Sequence, residues 1–430
     1  MRFLHCAFAI LHRRNSSAVY DHAVTARRKR LVGACGWALT LCVSLPAGAQ
    51  TIPATPIIFG DGRVTLGGDV TWSIAPPDAG FFNYTDYQHS ALRMLRLAVM
   101  ASVKASDHVA LLAEVRSENG GQPEPYGLYL RIRPWTAKAF DIQIGRVPPT
   151  FGAFPRRTYA ADNPLIGYPL AYQYLTSLRA DAVPIGADEL VRMRGRGWLS
   201  NFSVGNLAED RGVPLANAFR WDTGVQVHAG NDVIEVTGAL TGGTLSNPRP
   251  RDDTGGRQIA ARLTLHPIPG LVVGGSGARG AFVSQMAVRA ALGETDVEDF
   301  TQTAWGTDVE YSRDYYLLRF ETVVSNWTLP LLSAPSRKLP LQAVATSAEG
   351  RYKVRPGLFV AARLDHLGFS EIATSLTSQS WDAPVTRATL GGGYSIQRNL
   401  ILKAEIQFNT RDGGRVRRED LGAAQLVFWF

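Results

Sequence analysis

The sequence predicts an all-β fold, a transmembrane antiparallel β-barrel of about 16 strands (within about 14–18) with one long loop folded inward. Three observations lead to this prediction. Polar and apolar residues alternate in pieces of about ten residues, the length of a tilted strand that crosses a bilayer. Tight turns and long polar connections alternate between these pieces. The N-terminal region has the pattern of an export signal.

The export signal lies within residues 1–49. A basic cluster at 27–30 precedes an apolar run at 31–45, and the small residues 47–49 follow. This order is that of a secretory signal peptide with a cleavage site at its end, and the apolar run is too short to span a bilayer. The sequence therefore divides into an N-terminal extension with signal peptide, 1–49, and a barrel, 50–430.

Removal of this segment changes the charge balance of the chain. It carries seven of the 45 basic residues and one of the 37 acidic residues, so the mature chain has 45 − 7 = 38 against 37 − 1 = 36, a net charge of +2. A value this close to zero gives no reason to expect a nucleic-acid partner. All three cysteines leave with the segment. The mature chain then has no disulfide, no thiolate metal site and no cysteine nucleophile.

Individual segments show the alternation clearly. In 126–134, apolar residues alternate with a polar face that carries Arg131 and Arg133, and in 399–409 the polar face carries charges of both signs. A half-buried strand of a soluble sheet alternates in the same way, so one segment alone does not decide the fold class. No run of about 18 apolar residues occurs in the mature chain, which excludes membrane-spanning helices.

The number of segments and the way they are joined favour a membrane barrel. Sixteen segments alternate: 64–72, 92–104, 108–116, 126–134, 138–147, 219–229, 233–241, 257–266, 270–279, 303–312, 315–325, 342–354, 357–368, 385–396, 399–409 and 421–430. Seven tight turns and eight longer polar connections join them in alternation, and the longer ones include 148–218 and 326–341. Membrane barrels have short turns on one side and long loops on the other, whereas a soluble sandwich has no reason to keep this asymmetry.

The chain ends on an apolar strand, "AAQLVFWF" at 423–430, where a soluble protein would expose an aggregation-prone edge. This ending resembles the C-terminal signature of Gram-negative outer-membrane β-barrel proteins. The resemblance implies a location in the cell outer membrane, in contact with the lipid bilayer and lipopolysaccharide. It also implies that the barrel-assembly machinery recognises Leu426, Phe428 and Phe430. Pairing with 64–72 would close the barrel and remove the edge.

A second stretch, "GRVPPTFG" at Gly145–Gly152, leaves a predicted strand and enters the longest connection. It is similar to the Gly-basic-x-x-Pro-Phe-Gly stretch of phosphate-selective porins, with Thr150 inserted before the phenylalanine. The resemblance implies a porin-like barrel but not phosphate selectivity. A barrel of about sixteen strands has a water-filled lumen. The expected function is therefore a channel for passive diffusion of small hydrophilic solutes or ions, and a homotrimer is one candidate assembly.

The connection 148–218 spans 71 residues, far more than a connector needs, so it is either functional or partly disordered. Pro169 offers a helix start, and Leu170, Tyr174 and Leu178 follow at helical spacing. A loop this apolar is expected to fold inward against the wall. The predicted pore lining, taken from this loop and from 126–134, is Arg131, Arg133, Arg156, Arg157, Tyr159, Tyr172, Tyr174, Arg179, Arg192, Arg194 and Arg196.

Arg192, Arg194 and Arg196 occupy every second position and would lie on one side of an extended segment. Guanidinium groups suit phosphate and carboxylate, so arginines in the lumen would favour anions. Two other interpretations stay open. One is a surface patch that contacts lipopolysaccharide phosphates. The other is a loop whose charges balance, since Asp188 and Glu189 are close by.

Other classes of protein fit less well. The mature histidines have no neighbouring motif of a triad or metal site, so we predict no enzyme activity, no metal site and no cofactor. A plug-gated transporter would need about 22 strands and a plug domain. Two alternatives to a channel remain: a soluble exported β-rich binding protein, and a structural or surface outer-membrane barrel without transport. A compact, fast-migrating form on unboiled gels would indicate a barrel.

Overall fold

The computed structural model describes residues 55–84, 89–249, 253–293, 300–332 and 334–430. These residues form a closed antiparallel barrel of sixteen strands, which confirms the predicted fold class. The predicted signal segment lies outside the described residues. The barrel strands are β1 Val64–Ile74, β2 Leu95–Lys104, β3 Val109–Glu118, β4 Glu124–Ile132, β5 Ala139–Val147, β6 Asp222–Gly230, β7 Ile234–Thr241, β8 Gln258–Ile268, β9 Leu271–Ala281, β10 Thr301–Arg313, β11 Tyr316–Leu331, β12 Ala334–Arg355, β13 Leu358–Phe369, β14 Val385–Gln397, β15 Leu400–Arg411 and β16 Arg418–Trp429.

The alternation of the sequence separates the two faces of the wall. Outward side chains such as Val99, Ile259 and Leu364 are apolar and exposed, whereas inward side chains such as Arg262 and Asp365 are charged. In a bilayer each backbone polar group needs a partner within the protein, and ladders between neighbouring strands, closed into a ring, provide one. The exposed apolar belt and the closed ring together define a barrel that spans a membrane.

The ring closes between the first and the last strand. β16 pairs with β1, with Phe428 opposite Val70. Beyond the end of β16, the backbone N–H of Phe430 donates to the carbonyl oxygen of Gly68 (3.0 Å), and the N–H of Gly68 donates to the carbonyl oxygen of Phe430 (3.1 Å). The apolar C-terminal segment is therefore paired on both sides and is not an exposed edge.

The two ends of the barrel differ, as predicted. Seven short turns at one end join consecutive strands, for example 105–108 between β2 and β3 and 231–233 between β6 and β7. The other connections lie at the opposite end, and most of them are longer. Outer-membrane barrels have short periplasmic turns and long extracellular loops, so the end with the short turns is the periplasmic end.

One predicted loop is a pair of strands instead. The sequence interpretation treats 326–341 as a long connection, but β11 continues to Leu331 and β12 begins at Ala334. Their backbones pair as far as Pro330 opposite Lys338. The pairing continues because the inward faces of these strands pack on extracellular segments that fold into the barrel.

The described helices are short: α1 Leu170–Gln173, α2 Ala187–Arg192 and α3 Gln285–Leu292. Among the described residues, no helix has the length and apolar character needed to cross a membrane. The predicted helix after Pro169 forms but lasts only one turn, because Tyr174 already has an extended backbone (ψ 122°). The helical face expected from the sequence therefore stops there.

Candidate functional site

The connection between β5 and β6, residues 148–221, folds into the barrel as predicted. We call this segment the inward loop. Its apolar side chains, among them Phe154, Leu170 and Leu178, are buried against one another and against inward wall residues such as Val323. Burial of a large apolar side chain contributes about 1.5–3 kcal/mol, so a loop this apolar is more stable inside the barrel than in water. In this region the barrel holds a packed protein core.

The inward loop turns into the lumen at Gly152. The φ angle of this residue, +82°, lies in the left-handed region, and the Tyr172 hydroxyl group lies where a Cβ atom would be. The backbone N–H of Gly152 donates to the Ser276 hydroxyl of the wall (3.0 Å). The glycine that ends the "GRVPPTFG" stretch is therefore needed for its backbone conformation and for the close approach of Tyr172.

Two carboxylates of the wall hold the inward loop by hydrogen bonds. Glu321 Oε1 accepts from the backbone N–H of Ala153 (2.8 Å) and from the Tyr172 hydroxyl (2.5 Å). Glu405 accepts from the two consecutive N–H groups of Ile166 and Gly167 (2.5 and 3.1 Å). An ionised carboxylate only accepts hydrogen bonds, so it suits a set of donors. These two residues are anchors for the loop.

A positively charged side chain of the wall holds the same loop through the carbonyl groups of the loop. The Lys403 ammonium donates to the carbonyl oxygens of Ala160 and Asn163. Lys403 is fully buried. Hydrogen bonds to charged groups contribute about 1.5–3 kcal/mol each, and removal of one partner leaves an unpaired buried group. The wall thus fixes the loop with a donor as well as with acceptors.

A third carboxylate belongs to the extracellular loop between β13 and β14. Asp382 is fully buried and accepts from the backbone N–H groups of Ser177 (2.6 Å), Gly195 (2.7 Å) and Ala383 (2.7 Å). Burial raises the pKa of the Asp382 carboxyl above its usual value. Asp382 therefore ties two parts of the inward loop to this extracellular loop.

The buried Asp382 predicts a pH dependence of loop stability. Because its pKa is raised in the folded state, the folded loops bind its proton more tightly than unfolded loops do, and their stability falls as the pH rises through the raised pKa. Limited proteolysis of the extracellular loops is expected to become faster as the pH rises from about 4 through the raised pKa of Asp382. The Asp382→Asn variant, which does not titrate, is expected to lose this dependence. An unchanged dependence in the variant would assign the effect to another group.

On the periplasmic side of the inward loop, the wall and the loop border a cavity of about 210 Å³. Its wall residues belong to seven neighbouring strands, β7–β13. Glu235, His266 and Glu310 are among them and lie close to the short turns, which puts the cavity in the periplasmic half of the barrel. The loop contributes Ala153, Phe154, Arg156, Arg157, Asn163 and Pro169.

Charged wall residues of this cavity form a row across β10–β13. Glu310, Arg319, Glu349 and Arg363 are direct neighbours in the strand register and alternate in sign. Ion pairs join them in order, with N···O distances of 2.9, 3.1 and 3.4 Å. Opposite charges at directly opposed positions stabilise neighbouring strands. We call these four residues the charged row.

Two predicted arginines of the inward loop border the cavity. Arg156 pairs with Glu235 (3.4 Å), and its side chain is 44% exposed. Arg157 donates to Glu310 (2.8 Å), and its side chain is 17% exposed. Burial lowers the pKa of the Arg157 guanidinium. Both side chains keep contact with solvent, so both are able to act on an ion in the lumen.

Three further predicted residues lie on or near the wall. The Tyr159 hydroxyl donates to Glu114 (2.6 Å), and burial raises the pKa of Tyr159. Arg131 is half-buried and lies opposite the inward residue Gln143 in the register of β4 and β5. Arg133 lies in the exposed turn after β4, at the periplasmic rim and outside the cavity lining.

Tyr172, Tyr174 and Arg179 lie in the packed part of the inward loop. The Arg179 side chain is 0% exposed and binds both oxygens of Asp181 (2.9 Å each). The Tyr174 hydroxyl accepts from Arg411 (3.4 Å), and burial raises the pKa of Tyr174 to about 12. All three side chains are buried. They support the fold of the loop and do not face solvent in the lumen.

The remaining three predicted arginines lie on the extracellular side. The helix α2 ends at Arg192, so the following residues are not the extended segment that the alternate spacing suggested. Arg192 pairs with Glu189 (3.3 Å) and is 62% exposed, and Arg194 pairs with Asp412 of the β15–β16 loop (3.0 Å). Arg196 is exposed. The structure does not bring these arginines together with those that border the cavity.

The sequence interpretation missed several residues that organise the lumen. Glu310 and Glu349 are on inward strand faces, and the alternation of the sequence could have found them. The alternation does place Lys403 on the polar face of 399–409, but not its contacts with the loop. Their grouping depends on the strand register, which the sequence pattern does not give. Asp382 has no sequence signal at all, because its partner Ser177 is 205 positions away.

The charged groups that line the lumen cavity form ion pairs with one another. Within the described ranges, no cluster of three or more His, Cys, Asp or Glu side chains could hold a metal ion. The two carboxylates of the charged row each face an arginine. The chemistry of this site is therefore that of charge and hydrogen bonding.

Comparison with solved structures relates this fold to that of outer-membrane proteins. OmpT of Vibrio cholerae aligns over 87% of this chain and 100% of its own, with a TM-score of 0.52 and 12% identity. The outer-membrane channel DcaP of Acinetobacter baumannii aligns over 87% and 100%, with a TM-score of 0.51 and 11% identity. The anion-selective porin of Comamonas acidovorans aligns over 85% and 99%, with a TM-score of 0.50 and 10% identity.

No protein-family model and no curated protein sequence matches this chain. The structural likeness, at such low identity, is evidence for the fold. The chain is an outer-membrane β-barrel with the fold of Gram-negative porins. Its closed ring of sixteen strands and its apolar outer belt locate it in the outer membrane.

Proposed function

We propose that this barrel is a narrow channel for passive diffusion of small hydrophilic solutes or ions across the outer membrane, without enzyme activity. The observation that carries the proposal is the lumen cavity, bordered by Arg156, Arg157 and the charged row, in a barrel with the porin fold. Charged side chains around a constriction select among ions and polar solutes. The inward loop fills much of the lumen beside it, so the passage is narrow.

Conductance in planar bilayers tests this proposal. The refolded full-length barrel is expected to give discrete, small conductance steps, and liposomes that contain it are expected to swell faster with small sugars than with large ones. Gel mobility of the unboiled sample shows whether the barrel is folded. A folded barrel without conductance or swelling would refute the proposal.

We also propose a modest preference for anions. Arg156 is more exposed than its partner Glu235, 44% against 31%, whereas Arg157 is less exposed than Glu310, 17% against 32%. The proposed preference therefore rests on Arg156. The charged row itself adds little, because paired charges present a small net field. One structural neighbour is described as anion-selective, but at 10% identity this likeness concerns the fold.

The double variant Arg156→Gln, Arg157→Gln is expected to lower the anion-to-cation permeability ratio, because it removes two positive charges from the cavity border. Reversal potentials in a salt gradient measure the ratio. The triple variant Arg192→Gln, Arg194→Gln, Arg196→Gln is the control and should change it less. A larger effect of the triple variant would mean that the extracellular arginines set the selectivity.

A structural outer-membrane barrel without transport is the second candidate. The observation that favours it is the tight packing of the inward loop, whose central segment is almost fully buried. The two candidates differ in the wild-type conductance. A barrel that conducts only after the loop anchors are removed would be closed in its native state.

The partners that we propose are those of an outer-membrane barrel. The barrel-assembly machinery would read Leu426, Phe428 and Phe430 on the closing strand, and lipopolysaccharide would contact exposed extracellular arginines such as Arg196 and Arg415. A homotrimer is proposed because one Vibrio cholerae OmpT structure, at 14% identity, is described as a trimer form. Chemical cross-linking in intact membranes tests the oligomeric state.

A further inference from the structure

The outward face of the wall carries a row of polar side chains on one side of the barrel. Thr307 of β10, Thr322 of β11, Thr346 of β12 and His366 of β13 are directly opposed neighbours in the strand register. They lie on the outward face, because inward and mostly buried residues alternate with them along each strand. We call these four residues the outer polar row.

The same register row has a different character farther around the wall. Beyond β10 it continues through the apolar positions Gly275, Leu263 and Val236 on β9, β8 and β7. Beyond β13 it reaches Thr386 and Thr410, which lie close to the extracellular ends of β14 and β15, where lipid headgroups offer hydrogen-bond partners. A membrane barrel keeps apolar side chains toward lipid, so the outer polar row departs from the expected pattern.

The centre of the outer polar row lies at the depth of the acyl chains. The exposed residues Tyr316 and Tyr352 lie near the periplasmic ends of β11 and β12, six positions before Thr322 and six positions after Thr346. Tyrosines of this kind mark the interface between membrane and water. Six residues on a strand tilted by about 40° rise about 15 Å, and the apolar band of such a barrel is about 25 Å tall. Both threonines are therefore in the middle of the band.

The wall satisfies only part of the hydrogen-bonding capacity of the row. The hydroxyl oxygens of Thr322 and Thr346 lie 3.4 Å apart and form a hydrogen bond with each other. The Nδ1 atom of His366 pairs with the Thr386 hydroxyl (2.9 Å). Each hydroxyl has one proton, so the bond between the two threonines leaves one O–H donor unused. Acyl chains offer no acceptor for it, and an unpaired polar group is costly in hydrocarbon.

Small side chains lie directly beside these threonines. Toward the periplasm, the outward positions of β12 and β13 hold Ala348, Gly350 and Ala362, and the last two are directly opposed. Contacts between transmembrane helices are enriched in small residues, which let two backbones approach, and in threonine and histidine, which form hydrogen bonds across the contact. Two barrel walls in lipid meet the same conditions. This face therefore has the composition of a contact with protein.

We propose that the outward face of β10–β13 binds the same face of a second copy of this chain, with Thr322 and Thr346 at the centre of the contact. The row favours a second copy because a hydroxyl both donates and accepts, so one patch complements itself about a two-fold axis. The row is inclined to the membrane plane by the strand tilt of about 40°, so two facing rows cross, and only their centres meet. Neither the proposed channel nor the proposed homotrimer is needed for this contact.

Disulfide formation between single cysteines tests the contact. All three cysteines lie within residues 1–49, so the predicted mature chain has none, and an introduced cysteine links two copies at one known position. Thr322→Cys or Thr346→Cys, oxidised in intact outer membranes, is expected to give a disulfide-linked dimer in most of the chains. Thr307→Cys, at the end of the row, should give less. Val225→Cys, 40% exposed in the middle of β6, is the matched control and should give several-fold less dimer.

Removal of the hydroxyl groups gives a second measurement. The double variant Thr322→Val, Thr346→Val keeps the shape of both side chains, and its dissociation constant for dimers in detergent micelles is expected to rise by about tenfold. Heat-modifiable gel mobility should show that the variant folds as the wild type does. Equal dimer yields from Thr346→Cys and Val225→Cys would indicate random collisions and overturn the proposal. No dimer from either central cysteine, or a link from them to a different protein, would overturn it as well.

Discussion

Replacing Glu321 and Glu405 together with alanine is expected to raise the single-channel conductance several-fold. Both carboxylates accept hydrogen bonds from the inward loop, at Ala153 and Tyr172 for the first and at Ile166–Gly167 for the second. Each charge-assisted bond contributes about 1.5–3 kcal/mol. Loss of both anchors therefore shifts the equilibrium between the inward and the released loop by about 100-fold or more.

The expected conductance change follows from what the loop occupies. Its central segment is buried inside the barrel, so its release opens cross-section that is now filled by protein. The variant Glu321→Gln is the matched control, because Glu321 accepts both bonds through one oxygen, which the amide oxygen of Gln can replace at unchanged volume. It should stay near the wild-type conductance. Unchanged conductance in the double alanine variant, with normal gel mobility, would show that apolar packing alone holds the loop.

The inward position of this loop could be predicted from composition, but its anchors could not. A long connection with residues such as Leu170 and Leu178 is more stable when it is buried, and the sequence shows this directly. Which wall residues hold the loop depends on where the backbone N–H groups of the loop lie in the folded barrel. Glu405 and Gly167 are 238 positions apart, and no local pattern joins them.

The strand prediction is confirmed for the part of the wall that spans the bilayer. It is wrong for 326–341, where two strands continue beyond that part. All sixteen predicted segments are strands. The sequence predicts 326–341 as one of the longer polar connections. Trp327, Leu329 and Leu341 nevertheless face inward and are buried against segments inside the barrel. The alternation in this stretch arises from contact with those segments and not from contact with lipid.

The predicted pore residues also divide into two groups, one that lies at the cavity and one that does not. Arg156 and Arg157 follow "GRVPPTFG" after only three residues, so their position at the cavity depends on the turn at Gly152. Arg192 lies farther along the loop, after several changes of direction, and is on the extracellular side. In the sequence, the two groups of arginines have the same residue type at close spacing and cannot be told apart. The path of the backbone between them decides which arginines reach the lumen, and that path follows from tertiary packing.

Replacing Phe430 with alanine is expected to reduce the amount of assembled barrel in cells strongly, while refolding in detergent changes little. The Phe430 ring packs on the backbone of Gly68 across the closing seam and lies 6.0 Å from the Phe428 ring. Burial of a phenylalanine contributes about 1.5–3 kcal/mol, which a barrel with many ladder pairs can lose and still fold. If the assembly machinery also reads this ring, the cellular loss is larger than the change in stability explains.

Two controls separate recognition of the C-terminus from packing at the seam. Phe408→Ala removes an outward phenylalanine from the neighbouring strand β15, away from the terminus, and should have a similar effect in cells and in detergent. Gly68→Ala puts a Cβ atom into the position of the Phe430 ring, and therefore disturbs the seam but keeps the terminal residue. It should impair refolding in detergent as much as assembly in cells. Surface labelling of cells measures the assembly of the barrel in cells, and heat-modifiable gel mobility measures its refolding in detergent. If Phe430→Ala lowers both by the same factor, the terminal ring acts only as part of the closing strand.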